Sequence, residues 1–366
     1  MNFKISPSKT TMFAIMIGAL LFLKSCKDIK QDVSKANEKA SKGIVANDVI
    51  PFFQHWNLIL GDGSNVGLAT NYENENFFYV TNDGKSNWVV YKAPNAGDTH
   101  GTSNNTRTEL AQMKKWYPAT ANDKLTATLK VMNVSATGDA RVASTYSVVV
   151  GQIHSADGHE NEPLKIFYKK FPGHSKGSVF WHYEINTAGD DNSGRWDFST
   201  AVWGNNFSVV GSEVNTYPEE PKDGIALGEE FSYEIEVKDG IMRLKFMSEG
   251  HETKTFSKNL IVSEYTTAAD IPKQTQDLFV PIGQDGAERS KAYAGEGLFF
   301  KLGSYNQTNG KSPEVNKNWC SGAETHGGDV QKQYADGNYA EVWFKTASIY
   351  VSDAAVSNEG YFAKND

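Results

Sequence analysis

The chain has 366 residues, 39% of them hydrophobic and 12% aromatic, and a formal net charge of −8. An acidic balance argues against nucleic acid as partner, since phosphate recognition needs a basic footprint. With only two cysteines no disulfide framework is available, but a chain of this length can bury a sizeable hydrophobic core instead.

Residues 1–25 read as a targeting segment rather than as fold. Lys4 and Lys9 precede the apolar run 12–23, the pattern of a basic n-region and a short h-region, and the run is too short for an ordinary membrane-spanning helix. The following Leu23-Lys24-Ser25-Cys26 resembles a bacterial lipoprotein signal, with Cys26 as the lipidated first residue. A plain cleaved signal with an incidental cysteine is the alternative. Processing before Cys26 removes Lys4, Lys9 and Lys24 and no acid, taking the charge from −8 to −11. Residues 26–49, rich in Lys, Asp, Asn, Ser and Ala, read as a polar tether, in part helical around 33–42.

Beyond residue 50 the sequence becomes short strands separated by Gly, Asn, Asp and Pro. Strands are predicted at 76–81, 88–92, 125–134, 144–154, 164–171, 179–186, 231–238, 241–248 and 340–351. Asp239-Gly240 is a hairpin signal. Sustained helical periodicity is scarce, which predicts one all-β domain over 50–353, a sandwich or jelly roll of two antiparallel sheets, with 354–366 left as a C-terminal tail. Segments 187–228 and 309–337 read as long loops, which either wall off a groove or decorate the surface. Trp196, Trp203 and Trp319 on them are candidate sugar-stacking rings. The acidic run 190–197 lacks EF-hand spacing and reads as a solvated turn rather than a calcium site. Cys320 reads as a buried or loop thiol.

Three of these stretches carry polar residues on one strand face. In Phe299–Gln307, side chains two apart share a face, so Lys301, Gly303, Tyr305 and Gln307 point one way and Phe300, Leu302, Ser304 and Asn306 the other. Arg107 and Glu109 share a face in RTEL, and Gln152 and His154 in QIH. Such faces are poor core material and a plausible floor for a polar substrate. Lys165 and Lys169 add candidate cations for a polyanion, whose binding depends on the local field more than on net charge.

RTEL at 107–110, QIH at 152–154 and FFKLGSYNQ at 299–307, in this order, resemble the three signatures of polysaccharide lyase family seven, the alginate lyases. Phe299 departs from the usual first tyrosine of the third signature. The resemblance covers roughly residues 50–352. It implies a jelly roll with a substrate groove on the concave face and cleavage of alginate by β-elimination. That chemistry needs the uronate carboxylate neutralised, a base for the carbon-5 proton and an acid for the leaving oxygen. Arg107 offers a bidentate fork, Gln152 a neutral N–H donor, His154 a base near neutral pH, and Tyr305 a proton donor.

By the resemblance these four are catalytic, with His154 the base for guluronate and Tyr305 the acid; for mannuronate Tyr305 serves as both. Glu109, Lys301, Gln307, Lys165 and Lys169 are candidate binding and positioning residues. No metal or organic cofactor is required. The isoleucine of QIH is associated, by resemblance, with guluronate-containing alginate, and the long loops motivate exolytic cleavage. The protein is expected as a monomer anchored by lipid at a bacterial outer membrane, or otherwise secreted. The rivals are a glycoside hydrolase, which needs two carboxylates across the bond and has Glu234 and Glu236 as candidates; a non-catalytic polyuronate-binding module; and a lyase for another polyuronate such as glucuronan.

Overall fold

Alternation is strict in Phe231–Lys238, where Phe231, Tyr233, Ile235 and Val237 are buried and Ser232, Glu234 and Glu236 are half-buried. A period of two turns successive side chains to opposite sides of a strand, so this strand covers the core with one face and meets water with the other. Its hairpin partner Ile241–Ser248 follows the same rule, and Asp239 (φ 52°) and Gly240 (φ 75°) supply the two left-handed residues such a two-residue turn requires.

The computed structural model describes residues 43–99, 103–156, 162–185, 196–261, 293 and 295–362. The signal, Cys26, the tether with its helix, His100, His159 and residues 190–195 of the acidic run lie outside them. In chain order the strands are β1 Trp56–Ile59, β2 Asn65–Leu68, β3 Phe78–Asn82, β4 Asn87–Pro94, β5 Arg107–Gln112, β6 Lys114–Lys115, β7 Asn122–Asn133, β8 Ser147–Ser155 and β9 Leu164–Lys169. They continue as β10 Lys176–Ile185, β11 Trp196–Trp203, β12 Ile225–Ala226, β13 Phe231–Lys238, β14 Ile241–Ser248, β15 Lys254–Asn259, β16 Leu298–Asn306, β17 Tyr339–Tyr350 and β18 Val356–Ser357.

One sheet runs β11-β10-β9-β8-β16-β5-β1-β2, with β12 attached to β10, and the other runs β15-β14-β13-β7-β17-β4-β3. The long pairings in both are antiparallel. This is the predicted two-sheet jelly-roll sandwich. Leu110, Ile153, Ile166, Trp181, Phe300 and Leu302 of the first sheet share one hydrophobic core with Leu125, Leu129, Tyr233, Ile235, Leu244 and Phe344 of the second. At about 25 cal/mol per Å² of apolar surface, this core carries the fold without cross-links. Cys320 is a buried free thiol, and burial raises its pKa.

Two expectations are corrected. Residues 196–203, read as part of a long loop, form edge strand β11, which pairs with β10 from Trp196↔Ile185 to Trp203↔Val179. The polar turn before it hid its alternation. Trp203 is accordingly a core residue, packed on Phe231 and Phe246 with its indole N–H donating to the Glu252 carbonyl, and offers no face to a sugar. The end of the chain is also more than a tail, because β18 pairs with β6 and leads into a helical turn, Glu359–Phe362.

Candidate active site

The topology brings the three polar stretches side by side. β16 lies between β5 and β8, so residues about 150 to 200 positions apart in sequence become cross-strand neighbours. The register sets Tyr305 opposite Arg107, Gly303 opposite Glu109, Lys301 opposite Gln152 and Phe299 opposite His154. Phe300 and Leu302 face the core, and Asn306 donates to the carbonyls of Ala93 and Pro94, as the alternation predicts for the opposite face.

Glu109 is the hub. It is 1% exposed. Its carboxylate lies 2.7 Å from the Lys301 ammonium and 3.8 Å from the Arg107 guanidinium, and accepts a hydrogen bond from the Gln152 amide nitrogen. A carboxylate can only accept, which fixes which end of the Gln152 amide faces it and leaves the second N–H of that nitrogen for another acceptor. Two cations against one carboxylate make a positive spot suited to a uronate carboxylate. Burial works against the charge on Arg107, but Tyr305, Glu109, Tyr361 and Glu162 around it hold its pKa above the ordinary value. Burial pulls the Lys301 pKa down, opposed chiefly by Glu109.

Gly303 makes this junction possible. Its φ of 151° is strained for a side chain, and a Cβ there would lie 2.4 Å from the Thr108 carbonyl oxygen and 2.8 Å from the Glu109 Cα. The register between β16 and β8 slips just beyond it, from Leu302↔Gly151 to Tyr305↔Val149, a bulge of the kind that re-aims a side chain. Tyr305 then stacks under Arg107, with the guanidinium carbon 3.9 Å from the ring centroid, and its hydroxyl lies 3.1 Å from Ser103 Oγ.

His154 Nδ1 donates to the Ser155 carbonyl at 2.7 Å, so Nε2 is the nitrogen left to accept a proton. Glu162 Oε1 lies 3.7 Å from Nε2. Burial, with smaller contributions from Lys301 and Arg107, pushes the His154 pKa down from 6.5 to about 4, against the pull of Glu162. The imidazole is therefore neutral at physiological pH.

The remaining candidates are engaged by protein groups. Lys165 bridges Glu162 at 2.9 Å and Glu184 at 3.0 Å. Lys169 donates to the carbonyls of Ala143 and Val209, and burial lowers its pKa to about 7. Gln307 is buried and donates to the Tyr305 carbonyl at 3.3 Å. Glu234 and Glu236, the pair a hydrolase would need, sit on the other sheet in surface ion pairs with Lys124 and Arg243. Among the described residues no cluster of three or more His, Cys, Asp or Glu is arranged to hold a metal ion.

The polar face is less open than its sequence suggests, since every residue of β5, β8 and β9 is buried. Trp319, from segment 309–337, packs on Phe207 at 5.0 Å, and Phe207 on Phe167, Phe180 and His182, over the β9–β10 side. Both long segments thus send an aromatic ring over this face. His182 Nδ1 lies 3.2 Å from Asp197 Oδ1. On the other side Tyr361 lies against His154 and Phe299. Sequence reasoning missed Ser103, Glu162, Phe207 and Tyr361. Of these only Tyr361, one of two adjacent aromatics in a polar terminus, left a local signal.

The family model described as alginate lyase matches residues 50–351. An alginate lyase of Klebsiella pneumoniae is 27% identical over 280 residues, 68% of this chain and 76% of that one. The crystal structure of an exolytic PL7 alginate lyase from Zobellia galactanivorans matches with a TM-score of 0.77 and 61% identity, over 84% of this chain and 98% of that one. The crystal structure of the alginate lyase from Klebsiella pneumoniae matches with a TM-score of 0.57 and 22% identity, over 82% and 96%, a likeness of fold.

Proposed function

The chain belongs to the alginate lyase family and is a polysaccharide lyase; on that premise we propose that it acts on alginate as a member of polysaccharide lyase family seven. The reaction is β-elimination at the 4-O-glycosidic bond. The observation that carries this reading is the placement of Arg107, Gln152, His154 and Tyr305 on one face by the insertion of β16 between β5 and β8.

Arg107 and the second N–H of Gln152 neutralise the uronate carboxylate, onto which charge moves as the carbon-5 proton leaves. Donors already aimed at that charge need no reorganisation during the reaction. His154 Nε2 takes the proton when the sugar is guluronate. The electron pair forms the carbon 4–carbon 5 double bond, the bond from carbon 4 to the glycosidic oxygen breaks, and the Tyr305 hydroxyl protonates that oxygen. With mannuronate, whose proton lies on the other side of carbon 5, Tyr305 takes and returns the proton. Glu109 holds Arg107, Lys301 and Gln152 in place for these steps.

Preference for guluronate-containing blocks is supported by Ile153, through the family resemblance. Exolytic cleavage is supported by the 61% identity to an enzyme described as exolytic and by aromatic rings covering the face on both sides. The test is ultraviolet absorbance with polyguluronate, polymannuronate and alternating blocks, with products sized early in digestion. Expected are a rise that is fastest on guluronate-containing blocks, and small products from the start. No rise on any block would overturn the lyase reading for alginate; an early ladder of all sizes with a rapid viscosity drop would overturn the exolytic one.

The acid limb of kcat/KM on polyguluronate should follow the free-enzyme base. It is expected near pH 4 rather than near 6.5, since the neutral form of His154 persists down to about 4. The unfolded chain binds a proton at His154 between about 6.5 and 4 that the folded protein refuses. This contribution to stability is therefore complete above 6.5 and lost as pH falls through the folded value. A limb at the ordinary histidine pKa would contradict the buried, neutral base.

Anchoring belongs to the same proposal. Cys26 carries lipid, residues 26–49 hold a monomeric enzyme off a bacterial outer membrane, and residues 1–25 are removed. Labelled fatty acid should be incorporated by the native chain and not by Cys26→Ser; equal labelling, or none in either, would refute the anchor.

A further inference from the structure

The C-terminal segment has no part in the steps above, yet it is built into the site. β18 pairs with β6 through Val356↔Lys115 and Ser357↔Lys114, and the Asn358 N–H donates to the Met113 carbonyl at 2.9 Å. β6 directly follows β5, and Trp116 bridges to Leu298 at the start of β16. The segment is thus tied down beside the first residues of β16, where Phe299 stands opposite His154. The turn Glu359–Phe362 begins there, closed by Tyr361 N–H to the Asn358 carbonyl at 3.0 Å.

The consequence is an aromatic enclosure of the imidazole. The Tyr361 ring meets His154 edge-on, with centroids 5.9 Å apart and planes at 63°, and packs on Phe299 at 5.0 Å. Phe299 meets His154 at 5.3 Å, and Phe362 packs on Phe299 at 6.2 Å and on Tyr361 at 5.4 Å. Phe299 replaces the tyrosine usual at that place in the third signature, so this wall has one hydroxyl fewer. His154 is left 7% exposed.

We propose that Tyr361 is a positioning residue of the reaction, its ring sealing one side of His154 so that Nε2 is held dry and aimed at the proton it removes. The inference rests on His154 acting as the base. The charged and titratable groups around the imidazole are Glu162 on the Nε2 side, Lys301 and Arg107 from β16 and β5, and Tyr361 itself. Glu162 favours the imidazolium, while Lys301 and Arg107 oppose it. A water-filled gap in place of the Tyr361 ring would solvate the imidazolium and shift the balance toward it. Such a gap would also release the ring from the orientation set by Ser155.

The test reads His154 directly, by nitrogen NMR titration of the imidazole in the native chain, Tyr361→Ala and Tyr361→Phe, with His154→Asn for assignment. In Tyr361→Ala the imidazole is expected to titrate about one unit or more higher, which at pH 5 removes most of a tenfold share of the neutral form. Tyr361→Phe, which keeps the ring, should restore the native titration. In parallel the acid limb of kcat/KM on polyguluronate should rise in Tyr361→Ala, while the polymannuronate limb, set by Tyr305, should not move. An unchanged His154 titration in a folded Tyr361→Ala overturns the proposal. If that variant does not fold, contacts between the Tyr361 and His154 rings in the native protein decide: nuclear Overhauser effects between them support the proposal, and their absence overturns it. Because the titration needs no substrate, it stands even if no alginate block is cleaved.

Discussion

Tyr305→Phe is expected to abolish turnover on every alginate block, with a loss of about 10²–10⁴-fold from the missing proton transfer alone. The substitution removes one hydroxyl and leaves the ring, so the stacking of Arg107 over it at 3.9 Å and the packing against Val149, Phe167 and Phe180 should persist. Only the contact with Ser103 Oγ is lost inside the protein. The effect should therefore fall on kcat, with substrate affinity and melting temperature close to native. His154→Ala separates the two proton roles: it should cripple the guluronate reaction and spare the mannuronate one, where Tyr305 is both base and acid. Ultraviolet turnover on pure blocks, with binding measured separately, checks both. A Tyr305→Phe enzyme within tenfold of native on either block would remove Tyr305 from the mechanism.

The second large effect is expected at Glu109, and it falls on the fold as much as on the chemistry. Glu109→Gln leaves Arg107 and Lys301 buried on one face with no counter-charge. Removing one partner of a buried ion pair costs about 3–5 kcal/mol, or roughly 2–4 °C of melting temperature for each kcal/mol in a domain of this kind. Lys301 is the partner in closest contact. Lys301→Met in the Glu109→Gln background should therefore recover part of the loss, because the orphaned ammonium is removed. Arg107 and Gln152 lose their common anchor, so activity should fall even where the protein is folded. Thermal or denaturant unfolding of the two single variants and the double variant checks this. Additive losses in the double variant would show that Glu109 and Lys301 are not coupled.

The excess positive charge at this hub also accounts for how an acidic chain binds a polyanion. Arg107 and Lys301 sit within a few residues of the reacting groups and share only one carboxylate, and the near field outweighs the −8 of the whole chain.

The sequence by itself determined which residues share a strand face. A strand period of two is a local property, so the placement of Lys301, Gly303 and Tyr305 together, of Arg107 with Glu109 and of Gln152 with His154 could be read from each stretch alone. Most strand positions and the Asp239-Gly240 hairpin were legible for the same reason. Strand β11 was not, because its pattern is short and follows a polar run with the composition of a loop.

Only the tertiary structure decided which strands are neighbours, and hence that Glu109 joins Arg107, Lys301 and Gln152 across three strands. Pairings this distant are chosen by global packing, and nothing in the local pattern of β16 names β5 and β8 as its partners. The same holds for burial. Alternating polar residues predict an open face, but Phe207, Trp319 and Tyr361 arrive from remote segments and enclose it. That enclosure makes His154 a neutral base rather than an exposed histidine, since a charge refused by a dry site depends on every group that excludes water, wherever it lies in the chain.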